Sequence, residues 1–227
     1  GHLGFVVKEF SGATGAEHMV LEPIEQSVVR TAVNNVLGQS RIPHFDIANA
    51  KSVLSIGADF LESWLSPVSY SNAYGRFRQG SGERGTLIHA DSRFSMTAAN
   101  ADTWLPVAAG QEGTLALSIA YTLIEEGLVD PRGVTTESLG NVAPETVANL
   151  VSSTPGVITA EKIRDVAHTL AAHQPALVIA GGNAAAQSNG LFNVSAAMAL
   201  NQLLGSVGSE GGVRFNPEPP LENLRGL

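Results

Sequence analysis

Hydrophobic and polar positions alternate between two periods along this chain, and the changes of period mark its elements. Ser52 to Ser63, SVLSIGADFLES, sets the pattern: Val53, Leu54 and Ile56 make a short apolar run suited to a strand covered on both faces, and Gly57 ends it in a polar loop. GTLIHAD (residues 85–91), with Asp91 just past the strand's end, and ALVIAGGN (176–183), ending in glycine and a polar residue, repeat the unit.

Helical spacing fills the intervals. Leu3, Val6, Val7 and Phe10 predict a helix from His2 to Phe10, with Gly12 as its stop. Glu17 to Pro23 reads as a short strand. Val29, Ala32, Val33, Val36 and Leu37 give residues 24–37 one apolar face, closed by Gly38. Pro67 opens a helix running to about Arg78. Residues 92–110 read as loop and short extended pieces anchored by Trp104, Leu105 and Val107. A helix from about Gln111 to Glu126 is apolar on most of its circumference, which predicts burial between layers. Residues 128–158 form a peripheral excursion with one helix near Pro144 to Val151. Thr159 caps the next helix, whose inward stripe is Ile163, Val166, Ala167 and Leu170. Phe192 to Leu204 is a further apolar helix, and GSVGSEGG a flexible exit.

Strand and helix alternate, so the fold class is α/β: a doubly wound, mostly parallel sheet with helices on both faces. The expected organisation is a single domain over 1–216, with a helix-strand-helix part (1–44), a Rossmann-like part (45–216) and an extended tail (217–227).

Composition narrows the chemistry. With 44% hydrophobic and 15% charged residues the chain reads as soluble and globular, and its net charge of -8 with no basic run makes nucleic acid a poor partner. It has no cysteine, which excludes thiolate nucleophiles and a cysteine-held iron-sulfur cluster within it. The six histidines lack metal-site spacing and are expected to be surface or satisfied side chains. Gly80, Gly82 and Gly85 match G-x-G-x-x-G, but a helix precedes them and a strand follows, the reverse of the dinucleotide fingerprint. Asn193-Val194-Ser195 forms a sequon inside an apolar helix and is read as chance.

What remains is a set of turns at strand carboxyl ends: Gly57-Ala58-Asp59, Asp91-Ser92-Arg93, Gly110-Gln111-Glu112 and Gly181-Gly182-Asn183. Glycine allows close backbone approach, carboxylates accept from ribose hydroxyls or a guanine edge, and asparagine does both. A nucleotide-type site and ordinary turn chemistry account for these residues alike.

IGADFLESWLSP resembles the strand-and-loop segment of the molybdopterin oxidoreductases, the dimethyl sulfoxide reductase superfamily. HADSRFSMTAANADTWLPVAAGQEGTLALSIAYTLIEEG and LNQLLGSVGSEGGV are similar to two further blocks of that family, in the same order, over about 44–215. Within that family GADFLESWLSPVSY looks most like the polysulfide reductase branch and the large subunit of alternative complex III. The resemblance implies guanosine contacts of a molybdopterin guanine dinucleotide at Gly57, Asp59, Asp91, Arg93, Gly110 and Glu112, and at Gly182 and Asn183. Ser92 stands in place of the family's proline, Ala109 in place of the proline before Gly110, and Gln111-Glu112 in place of Thr-Asp. It also implies that this is the central fragment of a longer subunit in a membrane-associated respiratory complex on the extracytoplasmic side. No catalytic or metal-ligating residue is assigned, and the chain alone is expected to be inactive. Two other readings stay open: a cofactor-free scaffold, as in alternative complex III, and a stand-alone NAD-type module.

Overall fold

A computed structural model describes residues 2–19, 26–79 and 84–217. The chain divides into two compact units, residues 1–26 with 216–227, and residues 27–215. In the first, α1 (His2–Thr14) runs through Gly12 and ends before Gly15, whose φ of +68° supplies the left-handed stop expected of Gly12. The strand expected over 17–23 lies largely outside the described residues, and Glu17 to Met19 are not extended into a ladder.

The second unit carries the sheet. Its elements are α2 (Ser27–Leu37), β1 (His44–Phe45), β2 (Ser52–Ile56), α3 (Pro67–Gln79), β3 (Thr86–Asp91), α4 (Met96–Ala99), β4 (Thr103–Pro106), α5 (Glu112–Glu125), α6 (Pro144–Val151), α7 (Ala160–Ala172), β5 (Ala176–Ala180), α8 (Gly190–Leu203) and β6 (Val213–Arg214). Four strands pair in parallel in the order β4-β3-β2-β5, with Leu54 opposite both Ile88 and Val178. Strands β2 and β5 are buried at every position, the signature of a sheet covered on both faces. The chain steps from β2 to β3 to β4 in one direction and then returns to β5 on the other side of β2. By the right-handed crossover rule α3, between β2 and β3, and the α5–α7 connection, between β4 and β5, lie on opposite faces, and α8 packs against α5 and β5. This reversal between β2 and β5 is where α/β sheets open a crevice at their carboxyl edge.

Residues 92–110 hold more than loop. Ser95 accepts from the amide of Ala98 and starts α4, and β4 joins the sheet edge. The excursion over 128–158 is tied back to β4, because Ala108 and Ser153 donate to Val151 and Pro106 at 2.8 Å each. Thr159 caps α7 as its sequence predicts, accepting from Lys162.

The segment expected to be a flexible exit is instead pinned. β6 pairs antiparallel with β1, and Asp46 accepts from the amide of Gly211 at 3.1 Å. Gly211 has φ +73° and lies so close to Asn49 that a Cβ would stand 2.6 Å from its carbonyl oxygen. The glycines that suggested mobility permit this close turn.

Candidate functional site

All four strand-end turns meet at the carboxyl edge of the sheet. Asp59 follows β2. Its Oδ1 accepts from the hydroxyl and amide of Thr97 at 2.6 and 3.2 Å, and its Oδ2 from the Arg93 guanidinium at 2.9 Å. Asp91, the last residue of β3, accepts from the Arg93 amide at 3.2 Å, from the Ser92 hydroxyl at 3.4 Å and from Asn183 at 3.1 and 3.2 Å. Asn183 lies just past β5, and its amide donates to Gly57 O at 2.9 Å. Glu112 opens α5, and its Oε2 accepts from Asn193 of α8 at 3.0 Å. Asn193 also donates to Ala184 O, and Asn189 donates to Gly110 O at 2.7 Å. Gly57, Asp59, Asp91, Arg93 and Asn183 are thus linked directly, Gly110 and Glu112 join through Asn189, Asn193 and Ala184, and Gly182 lies in the turn after β5 that carries Asn183.

Electrostatics follow from burial and partners. Burial alone would push Asp59 and Asp91 upward. For Asp59 the bonds from Thr97 and Glu62 and the charge of Arg93 outweigh it, and for Asp91 the contacts with His89, Asn183 and the Arg93 amide do, so both lie below the ordinary carboxylate value. Glu62, sharing a hydrogen bond with Asp59, is raised. Glu112 is also raised, first by burial and then by the nearby charge of Asp91, against lowering backbone contacts. Its Oε1 is buried with no hydrogen-bond partner.

The network departs from the expected ligand shell in two ways. Asp59, Asp91 and Glu112 are 4%, 0% and 1% exposed, so their oxygens face protein. The glycines, too, admit neighbouring chain. A Cβ on Gly57 would stand 2.7 Å from Ala184 Cβ, one on Gly182 would meet Gly57 O at 2.5 Å, and one on Gly181 would enter the ring of Trp64. The exposed members are Ser92, Arg93 and Gly182, with Gly110 and Asn183 half-buried, and the Arg93 side chain is 56% accessible. A separate groove of about 430 Å³ lies between residues 44–49 and α3, lined by His44, Asp46, Asn72 and Arg76 among others and by none of the eight.

Several organising residues escaped the sequence reading. Thr97 sits in a segment read as loop. Asn193, set aside with the sequon, is fully buried and holds Glu112, Gly113 and Ala184 together. A polar residue on the inward stripe of an otherwise apolar helix was the available signal. His89 differs from the expected surface or satisfied histidine. It is fully buried, with Nε2 at 3.4 Å from Ser95 Oγ and 3.7 Å from Asp91 Oδ2, and Nδ1 has no partner. Among the described residues there is no group of three or more potential metal ligands, and no helix is long and apolar enough to cross a membrane.

The family model described as molybdopterin oxidoreductase matches residues 11–218, nearly the whole chain. The chain belongs to the molybdopterin oxidoreductase family. It is 30% identical over 218 residues to the menaquinone reductase molybdopterin-binding-like subunit of Nitratidesulfovibrio vulgaris, covering 96% of this chain and 31% of that protein. It is 27% identical over 210 residues to the arsenate respiratory reductase molybdopterin-containing subunit of a Shewanella species, covering 78% and 24%. A probable dimethyl sulfoxide reductase chain of Escherichia coli is 31% identical over 196 residues, covering 74% and 23%. The chain therefore spans less than a third of the length of these relatives. Acetylene hydratase from Pelobacter acetylenicus shares the fold, with a TM-score of 0.64 at 23% identity over 78% of this chain and 24% of that one.

The family implies a molybdopterin cofactor in the parent protein. The Arg93 guanidinium, 56% accessible and held by Asp59, is a donor suited to phosphate oxygens, while the side-chain donors of Ser92 and Asn183 are engaged by Asp91. The sealed acids do not fit a contact with a base.

Proposed function

We propose that this chain is the central α/β domain of a molybdopterin-oxidoreductase-like subunit in a respiratory electron-transfer complex, on the extracytoplasmic side of a bacterial membrane. Its carboxyl-edge turns form one wall of the cleft in which such a subunit carries its cofactor. The convergence of the four turns at the reversal between β2 and β5 carries this reading, since that edge is where α/β sheets receive ligands. When bound, the metal of a molybdopterin cofactor would supply the redox centre. The chain's own contribution is to present the exposed Arg93 guanidinium at this edge, with Asp59 holding it in place at 2.9 Å. The relatives whose names carry the words reductase and subunit support the placement in a multi-subunit assembly.

The second reading is a cofactor-free scaffold between electron-carrying subunits, favoured by the sealing of all three acids. Purification of the parent subunit with its partners separates the two. The cleft-wall reading expects molybdenum or tungsten by mass spectrometry together with a fluorescent oxidised pterin. Partner subunits without metal or pterin establish the scaffold, and a parent that purifies alone overturns the assembly.

A further inference from the structure

The groove between residues 44–49 and α3 involves none of the carboxyl-edge turns. One wall is a single face of α3, where Val68, Asn72 and Arg76 recur at i, i+4 and i+8. The other is the segment from His44 to Asn49, anchored in the core by Phe45 and Ile47, both fully buried. Ala48 and Ala73 also line the groove, and side chains this small leave open a volume of about 430 Å³ that longer ones would fill. Sites for small organic molecules run to roughly 300–1,000 Å³.

The wall from His44 to Asn49 is fastened from behind. The Asp46 amide donates to Gly212 O at 3.0 Å, and the Asp46 carboxylate accepts from the Gly211 amide at 3.1 Å and from Asn49 Nδ2 at 3.0 Å on each oxygen. Burial would raise Asp46, but the bonds from Asn49, Gly211 and Arg214 hold it below the ordinary carboxylate value. The acid of the groove therefore serves the wall. Its cation does not. Arg76 is exposed, its guanidinium is steadied by donating to Asn72 Oδ1 at 3.0 Å, and it makes no ion pair among the described residues.

A guanidinium holds a carboxylate through two parallel N–H bonds. One unpaired guanidinium balances a single negative charge, and Asp46 together with the chain's net charge of -8 disfavours a polyanion. Val68, 85% exposed at the rim, and the two alanines suit a compact hydrocarbon body better than a sugar. We propose that this groove binds a small organic monocarboxylate, with the carboxylate on Arg76 and the apolar body between Val68, Ala48 and Ala73. The site shares no residue with the cofactor cleft, so its failure would leave that reading as it stands.

Calorimetric titration of the full-length parent subunit with benzoate, phenylacetate and hexanoate tests the proposal at a pH where ordinary histidines are uncharged. Benzamide controls for shape and inorganic phosphate for charge. At least one carboxylate should bind saturably, about tenfold or more tighter than benzamide or phosphate. Arg76→Gln should weaken it by about tenfold, whereas Arg30→Gln, at an exposed arginine of α2, should not. Ala73→Leu keeps Arg76 but fills the groove, and should weaken the same ligand by about tenfold. Hydrogen exchange of the unaltered protein supplies a readout independent of any variant: the bound carboxylate should slow exchange over residues 44–49 and 68–76. No saturable binding of any of the three up to about 10 mM overturns the proposal. So does benzamide or phosphate binding as tightly as the carboxylates, affinity unchanged in both Arg76→Gln and Ala73→Leu, or protection confined to other parts of the chain.

Discussion

Asn183, just past β5, donates to both carboxylate oxygens of Asp91 at the end of β3, at 3.1 and 3.2 Å across 92 residues of sequence. One amide thereby joins the turns after β3 and β5, while its backbone amide binds Gly57 after β2. Asn183→Ala removes the side-chain link and leaves a buried carboxylate short of a donor, at a cost of about 1–3 kcal/mol. Urea unfolding should show a lower midpoint at unchanged slope, and an unaltered midpoint would refute the strut.

Asp91 and Glu112 make opposite contributions to the pH dependence of stability. Asp91 titrates below its ordinary 3.8 in the folded protein, so its stabilisation is complete above that value and is lost as pH falls through the folded value. Glu112 titrates above its ordinary 4.5, so its contribution is present below 4.5 and lost as pH rises through the folded value. Relative to the parent sequence, Glu112→Gln should gain stability as pH rises above 4.5, while Asp91→Asn should lose it over the acid range where the carboxylate ionises. Denaturant midpoints at a series of pH values check both signs.

Asn201 of α8 is fully buried and completes β5 at its open edge. Its Oδ1 accepts from Val178 N at 2.9 Å, and its Nδ2 donates to Val178 O at 2.8 Å, as a further strand would. Asn201→Leu orphans two buried backbone groups at about 1–3 kcal/mol each. Hydrogen exchange at the Val178 amide should accelerate by at least as much as global unfolding does, and unchanged protection there would count against this role.

Gly57 and Gly38 separate two effects of glycine. Both have positive φ, +64° and +66°, but Gly38 has open space where a Cβ would stand, while Gly57 faces Ala184. Gly38→Ala should cost about 1–2 kcal/mol, the left-handed penalty alone. Gly57→Ala must also push back the turn after β5 and should cost clearly more, with loss of Arg93 and Asn183 geometry visible in chemical shifts. Equal losses at the two positions would show that the close approach carries no energy.

Much of the fold was legible because its signals are local. The apolar runs of β2 and β5, the stripe of α7 with its Thr159 cap, and Gly38 after α2 each depend on residues within a few positions of one another. Even the four turns could be named in advance, since each follows directly from the end of its strand or the start of α5.

What those turns do could not be named, because exposure is set by pairs far apart in sequence. An aspartate past a strand reads the same whether it meets solvent or Asn183, and a glycine reads the same whether it admits a ligand or Ala184. The GSVGSEGG segment shows the same limit, since the backbone and carboxylate of Asp46, 165 residues from Gly211, help make its glycines a fastened turn. The order of residues determined the alternation of elements, the parallel sheet and the family, all written in short-range pattern. Tertiary packing alone decided that the acids turn inward and Arg93 outward, because burial and hydrogen-bond partners exist only once β2, β3, β5, α5 and α8 have come together.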